Sequence, residues 1–448
     1  MKKNDIIDLS INAVSSEGAG IGRHEGFAIF VNGAAEGDMI KCRILKVKKT
    51  YAFGKIEEII TPSVHRIAPD CPTFSKCGGC VYRHITYSKE CEIKQKKVED
   101  CIRRIGGIDL SPQPIIAASN TLGYRNKAQL PISGGGKTGF FAPHSHRIIE
   151  TEHCALTPPV YSEIARVFEN FLAKFSLLPY NEEAHSGLVR HLYIRSTKDE
   201  AEIMVTAVIN GDALPHSEEL KSDLIALLGN RLASLQININ KKDTNVILGE
   251  QCKTIYGSDF ITDTLCGVKI RISPLSFYQV NREMTEKLYK KAAEYLVPDG
   301  KNIIDLYCGA GTIGLSMADR AKSIIGVEIV PEAVRDAKVN AENAGIDNAE
   351  FICADATAAA DILAQRGLSP DAVILDPPRK GCDEALLRTV ANSFKPEKIV
   401  YISCDPATLA RDSSVLAALG YTLREYTPVD LFPRTHHVET VALFVRTV

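Results

Sequence analysis

The chain has 448 residues, enough for two or three domains, and 24% charged with 45% apolar side chains is an ordinary globular balance. A formal net charge of -2 advertises no nucleic-acid partner through bulk charge. The start, MKKNDIIDLS, lacks a signal peptide's apolar core, and no apolar run nears the ~18 residues of a membrane span. The expected location is therefore the cytoplasm, where the 13 cysteines would be reduced, metal-bound or catalytic.

Residues 1–62 alternate like short strands (LSINAVS, FAIFVNG, DMIKCRILKVKK, YAFGKIEEII), with GAGIGRHEG read as a glycine-rich turn. This predicts a small β-barrel. Between Lys41 and Lys55 six basic residues occur without an acid, and Tyr51 and Phe53 are interleaved. Basic residues attract phosphates and aromatic rings stack on bases; a lysine-guarded edge strand has the same composition.

Residues 63–265 read as a mixed α+β segment, with a charged helix near 87–105 and hairpin-like strands LVRHLYIRST and AEIMVTAVIN. CPTFSKCGGC places Cys71, Cys77 and Cys80 at C-x5-C-x2-C, and Cys154 follows much later. Zinc sites usually show two C-x-x-C pairs or histidines; this uneven three-plus-one set suits an iron–sulfur cluster better.

From residue 266 to 448 strands and helices alternate, which predicts a parallel sheet of Rossmann type. DLYCGAGTIG carries Gly309, Gly311 and Gly314 as G-x-G-x-x-G, and Glu328 ends the next strand, where a carboxylate can accept from ribose hydroxyls. NAD and S-adenosylmethionine both contain adenosine, so these features suit either. Asp355 closes the third strand, beside an adenine or as a helix cap. LDPPRKG then places Asp376 at the end of the fourth strand, a segment resembling S-adenosylmethionine-dependent methyltransferases. Enzymes acting on exocyclic amines usually carry an aromatic residue where this chain has Arg379.

YISCDPATLARD puts Cys404 at the end of the fifth strand. C5 of uracil is a poor nucleophile. A thiolate added at C6 makes the ring an enolate whose C5 can attack a methyl sulfonium. The product must then lose its C5 proton, and FPRTHHVETVALFV offers His437 and Glu439 as bases. Chemistry alone leaves that choice open, and a buried structural cysteine is the plain alternative for Cys404.

Taken together, ISCDPATLARD, LDPPRKG, SFYQVN, DLYCGAGTIG and HHVETV resemble the bacterial RNA uracil-5-methyltransferase family. The resemblance implies Cys404 as nucleophile, Glu439 as base, and Gln279, Tyr307, Glu328 and Asp376 as contacts to S-adenosylmethionine. It places Phe277 and Arg125 near the target nucleotide. It implies a [4Fe-4S] cluster on Cys71, Cys77, Cys80 and Cys154, and identifies the first segment with the RNA-binding TRAM barrel. The family more often has asparagine where this chain has Asp405. The expected partner is a flipped uridine in a loop of 23S ribosomal RNA, with no DNA, no membrane and a monomeric enzyme. A transfer-RNA methyltransferase, a non-catalytic RNA-binding assembly factor and an NAD-dependent redox enzyme are the rivals.

Overall fold

The computed structural model describes residues 1–447, and Val448 lies outside the described residues. The chain divides into two compact units, one of Met1–Lys97, Phe140–Ile149 and Phe432–Val438, the other of Val98–Gly139, Glu150–Leu431 and Glu439–Val448.

In the first unit Ile6–Val14, Gly20–His24, Phe27–Val31, Met39–Val47 and Tyr51–Thr61 close a five-stranded barrel. Alternation sends Leu9, Ile11, Ile29, Ile40, Ile44 and Ala52 inward, all essentially buried. The stretch read as a turn from its glycines is largely a strand. A Cβ on Gly22 would lie 2.5 Å from the Ser10 carbonyl oxygen, and one on Gly20 would lie 2.8 Å from that of Ala34. Glycine here admits close backbone approach inside a tight barrel, a need that composition does not separate from turn formation. Buried Asp38 fastens the barrel's exit by accepting from the Ala35 N–H at 2.7 Å and the Ser63 N–H at 2.9 Å.

The charged helix spans Tyr87–Arg104. Its buried Glu90 pairs with Lys94 at 2.7 Å and accepts from the Arg434 N–H at 2.6 Å. Lys94 also donates to the Phe432 carbonyl (3.1 Å), and Lys97 to that of His436 (3.0 Å). The helix's charge therefore anchors the segment that runs into Glu439.

The second unit contains a five-stranded sheet ordered Gln251–Gly257, Leu232–Ile239, Ile203–Ile209, Val189–Ser196, Lys127–Pro131. LVRHLYIRST and AEIMVTAVIN supply its central antiparallel pair, buried along its whole length. A seven-stranded sheet is ordered Ala349–Cys353, Ser323–Glu328, Asn302–Leu306, Ala372–Leu375, Lys398–Ser403, Glu439–Arg446, Tyr421–Val429. The first five of these are parallel, and Glu439–Arg446 runs antiparallel to both neighbours. Chain order reverses between Asn302–Leu306 and Ala372–Leu375, the switch point outside which open α/β sheets take ligands. Ser414 Oγ donates to the Gly106 carbonyl (2.9 Å) and Tyr426 OH to that of Leu110 (2.7 Å), joining the chain that leaves the charged helix to this region.

The sequence after the strand NIIDLYC reads as one helix over TIGLSMADRA, but the helix spans only Thr312–Leu315. Ser316 Oγ donates to the Ile313 carbonyl at 2.6 Å, a local bond that competes with helix continuation. Among the described residues no helix is long and apolar enough to cross a membrane.

Candidate active site

The glycine loop lies where Asn302–Leu306 ends. Tyr307 takes φ +66°, a left-handed conformation that costs a non-glycine residue energy and marks a constrained site. Gly311 has φ +77°, and a Cβ there would meet Phe351 at 2.8 Å. The Gly314 N–H donates to Asp305 at 3.0 Å. Asp305 is fully buried, and burial pushes its carboxyl up to about 7. Glu328 accepts from the Gly309 N–H at 3.1 Å and the Val330 N–H at 2.8 Å, so the acidic strand end and the glycine loop are one unit. Asp355 caps the helix Ala356–Gln365, accepting from Thr357 and Ala358 N–H at 3.0 and 3.1 Å. Of its two sequence readings, the cap is the one these bonds realise.

Cys404 and Glu439 meet through strand register. Ser403 pairs with Thr440 in the antiparallel ladder, and the next position outward on each strand is Cys404 and Glu439. Glu439 is 5% exposed, and burial, then the charge of Asp376, pushes its carboxyl up to about 8, with Arg379 opposing. Burial, then Glu439 and Asp376, pushes the half-buried Cys404 thiol up to about 11, again opposed by Arg379. Burial alone pushes Asp376 up to about 7. Fourth-strand Asp376, fifth-strand Cys404 and last-strand Glu439 thus act on one another at one sheet end.

Asp405 takes the place where the family more often has asparagine. It caps the helix Pro406–Ala418, accepting from Ala407 and Thr408 N–H at 2.8 and 3.2 Å. Either side chain can do this, so the substitution keeps the turn that presents Cys404. Sequence reading missed Asp412, which is 1% exposed. It accepts from the Cys382 N–H at 2.9 Å and the Tyr401 hydroxyl at 2.6 Å, fastening the loop after Arg379 to the helix after Cys404. A lone acid in a helical run carries no signal of this role.

Gln279 and Phe277 lie between the hairpin Ile261–Ile272 and the helix Arg282–Leu296. Asn126 Nδ2 donates to the Gln279 carbonyl at 2.9 Å, and Arg125 bridges to Asn281, bringing YRNKAQ against SFYQVN. Phe277 is 69% exposed.

Cys71, Cys77 and Cys80 lie half-buried on one loop of the first unit. The Gly79 N–H donates to Cys77 Sγ at 3.4 Å. Arg83, 1% exposed, hydrogen-bonds Cys80 and pairs with Asp70. Cys154 is half-buried in the second unit. Among the described residues no three His, Cys, Asp or Glu side chains form a group able to hold a metal ion.

On the barrel, Phe30, Tyr51 and Phe53 form an outward cluster with ring centroids 5.4 to 6.1 Å apart. Half of the basic run beside them is neutralised: Lys41 pairs with Glu58 at 2.7 Å, while Arg43 and Lys55 share Glu57 at 2.7 and 2.9 Å. Glu57 and Glu58 lie 14 and 17 residues after Arg43 and Lys41 but just past Lys55, so a scan confined to residues 41–55 does not see them.

A parallel sheet with one antiparallel strand, a glycine loop at its switch point and carboxylates at the neighbouring strand ends form an α/β site suited to an adenosine-bearing cofactor. The family model "tRNA (Uracil-5-)-methyltransferase" matches residues 86–447, and the TRAM domain model matches residues 2–56. An uncharacterized RNA methyltransferase of Clostridium tetani is 42% identical over 99% of this chain and 97% of its own. One from Halalkalibacterium halodurans is 41% identical over 99% and 97%. The Pyrococcus abyssi tRNA (uracil-54, C5)-methyltransferase, solved with S-adenosyl-L-homocysteine, superimposes with TM-score 0.79 at 28% identity, covering 98% of this chain and 99% of that one. The chain belongs to the RNA uracil-5-methyltransferase family and carries a TRAM domain.

Proposed function

We propose that Cys404 and Glu439 carry the methylation of a uridine in 23S ribosomal RNA. The observation behind the catalytic reading is the register that sets these two side chains on adjacent strand ends. Bound S-adenosylmethionine supplies an electrophilic methyl on sulfonium. Cys404 gives up its proton to solvent and adds to C6 of the uracil as the thiolate, and the C5=C6 electron pair moves to C5 and O4. After C5 is methylated, Glu439 takes the C5 proton; the C5=C6 bond re-forms and Cys404 leaves as thiolate. The uridine must leave its stack for C6 to reach the thiol. Gln279, Tyr307, Glu328 and Asp376 hold the cofactor in this reading, with Glu328 placed for ribose hydroxyls.

Cys71, Cys77, Cys80 and Cys154 are proposed to hold a [4Fe-4S] cluster. An amide donor at Cys77 and a buried guanidinium at Cys80 favour thiolate ligands. No step above needs an electron, so the cluster's part is structural or in placing RNA.

The cysteine set is what supports ribosomal RNA in this reading. Transfer RNA stays as the second reading because the Pyrococcus abyssi enzyme, whose named substrate is a tRNA uracil, matches along nearly the whole chain, barrel included. The barrel therefore does not separate the two RNA classes. Mapping 5-methyluridine in ribosomal and transfer RNA from a deletion strain tests the choice. Loss from 23S RNA alone is expected; loss from transfer RNA alone would overturn it.

RNA contact by the barrel should rest on Lys46, Lys48 and Lys49, since their basic neighbours already face glutamates. Replacing these three with glutamine should lower the salt slope of RNA binding by roughly 2, at about 0.7 per single-strand phosphate contact. Affinity for S-adenosyl-L-homocysteine should not change. Replacing Lys41, Arg43 and Lys55 instead should alter the slope much less.

A further inference from the structure

Lys127 opens the strand Lys127–Pro131 at the edge of the five-stranded sheet. Its direct partner across the ladder is Arg195. Like charges placed opposite in an antiparallel pair repel, so this pairing costs the fold stability. Arg125 lies two residues earlier, on the same side by the two-residue period of extended chain. The charges that act on the Lys127 ammonium are these two guanidiniums. Burial and then those cations draw it down from 10.5 to about 8. No hydrogen bond or ion pair engages its side chain among the described residues.

Arg195 is spent elsewhere. It is 4% exposed, and donates to the Ser273 carbonyl at 3.2 Å, the Ser276 carbonyl at 2.6 Å and the Tyr193 hydroxyl. It braces the turn that leads to Phe277. Asn126 ties the other flank, its N–H donating to the Val280 carbonyl at 2.9 Å and its side chain to that of Gln279. The half-buried lysine therefore lies beside the segment 273–281, its ladder partner and its chain neighbour both hydrogen-bonded to that segment. A fold gains nothing for itself by holding an unpaired ammonium beside two guanidiniums. An incoming anionic oxygen would relieve the repulsion and find a cation already desolvated and positioned.

We propose that Lys127, backed by Arg125 and Arg195, is an oxyanion subsite that receives a phosphate oxygen of the RNA strand beside the target nucleotide. The subsite rests on the RNA-methylation reading above. An anionic oxygen is also present in the cofactor's carboxylate, and the test separates the two sources.

The test uses the full-length protein with Lys127→Met and Lys127→Arg. RNA affinity is measured across a salt series, S-adenosyl-L-homocysteine affinity by calorimetry, and melting temperature alongside. Lys127→Met should weaken RNA binding about tenfold and reduce the salt slope by about 0.7 to 0.9, as loss of one phosphate contact does. Lys127→Arg should restore most of both. The Lys127→Met melting temperature should hold or rise, because the lysine has no partner to lose and its removal ends a cation–cation repulsion. If S-adenosyl-L-homocysteine affinity falls instead, with RNA binding intact, the oxygen is the cofactor's carboxylate and the phosphate assignment is overturned. If neither ligand's affinity changes, or if Lys127→Met lowers the melting temperature, the lysine is a structural element and the subsite is wrong. If the unaltered protein binds no RNA, the RNA reading fails first, a result distinct from the others.

Discussion

Glu439→Gln will trap RNA on the enzyme, while Cys404→Ala will form no adduct at all. In the proposed mechanism only the last chemical step needs the base. The glutamine variant should still add Cys404 to C6 and still methylate C5, then stall. The stalled species is a methylated RNA joined through C6 to Cys404, seen as a slow-migrating band on a denaturing gel, and omitting S-adenosylmethionine should reduce it. Turnover should fall by roughly 10² to 10⁴ in Glu439→Gln and by about 10⁴ or more in Cys404→Ala. The pH dependence follows from the sign of the shift. Burial and the Asp376 charge raise the Glu439 carboxyl to about 8, so it is protonated below that pH and unable to accept. Release should quicken as pH rises through about 8 and then level, and this limb should vanish in Glu439→Gln. If Glu439→Gln turns over almost normally and the band appears in His437→Ala, the base is His437. An active Cys404→Ala would end the covalent mechanism.

Protein purified without oxygen should be brown and contain iron and sulfide, and Cys77→Ser should be colourless and less soluble. Cys77 is the sulfur to remove because the Gly79 N–H already donates to it, as amides do to ligating thiolates. In the proposed cluster Cys77 would be one of four thiolate ligands, so its loss should remove the colour rather than only lessen it. Cys91→Ser is the control: Cys91 is buried on the charged helix and outside the proposed ligand set, so the colour should remain. Stoichiometric zinc with no iron in the anaerobic protein would rule the cluster out.

The catalytic sheet was legible because its signals are local. Apolar runs such as NIIDLYC and KIVYISC mark strands buried on both faces. Glycines and prolines mark the loops between them. The small helix error at TIGLSMADRA came from Ser316, whose bond to Ile313 no periodicity shows. The barrel's second strand was hidden because its glycines serve close packing rather than turning. The uneven charge of the basic run was hidden because its acids lie just past its end and reach Lys41 and Arg43 across a ladder.

Residue types determined the chemistry by themselves: a thiol at a strand end, candidate bases before the last strand, a glycine loop and an aspartate before two prolines are chemical facts of the chain. Spatial decisions belong to the tertiary structure. It set Glu439 beside Cys404, through an antiparallel ladder between residues far apart in the chain. It raised the Glu439 carboxyl by burying it beside Asp376. It also placed Lys127 opposite Arg195. Each depends on pairing across long sequence separations and on removal from water, and both are properties of the folded arrangement rather than of any stretch of residues.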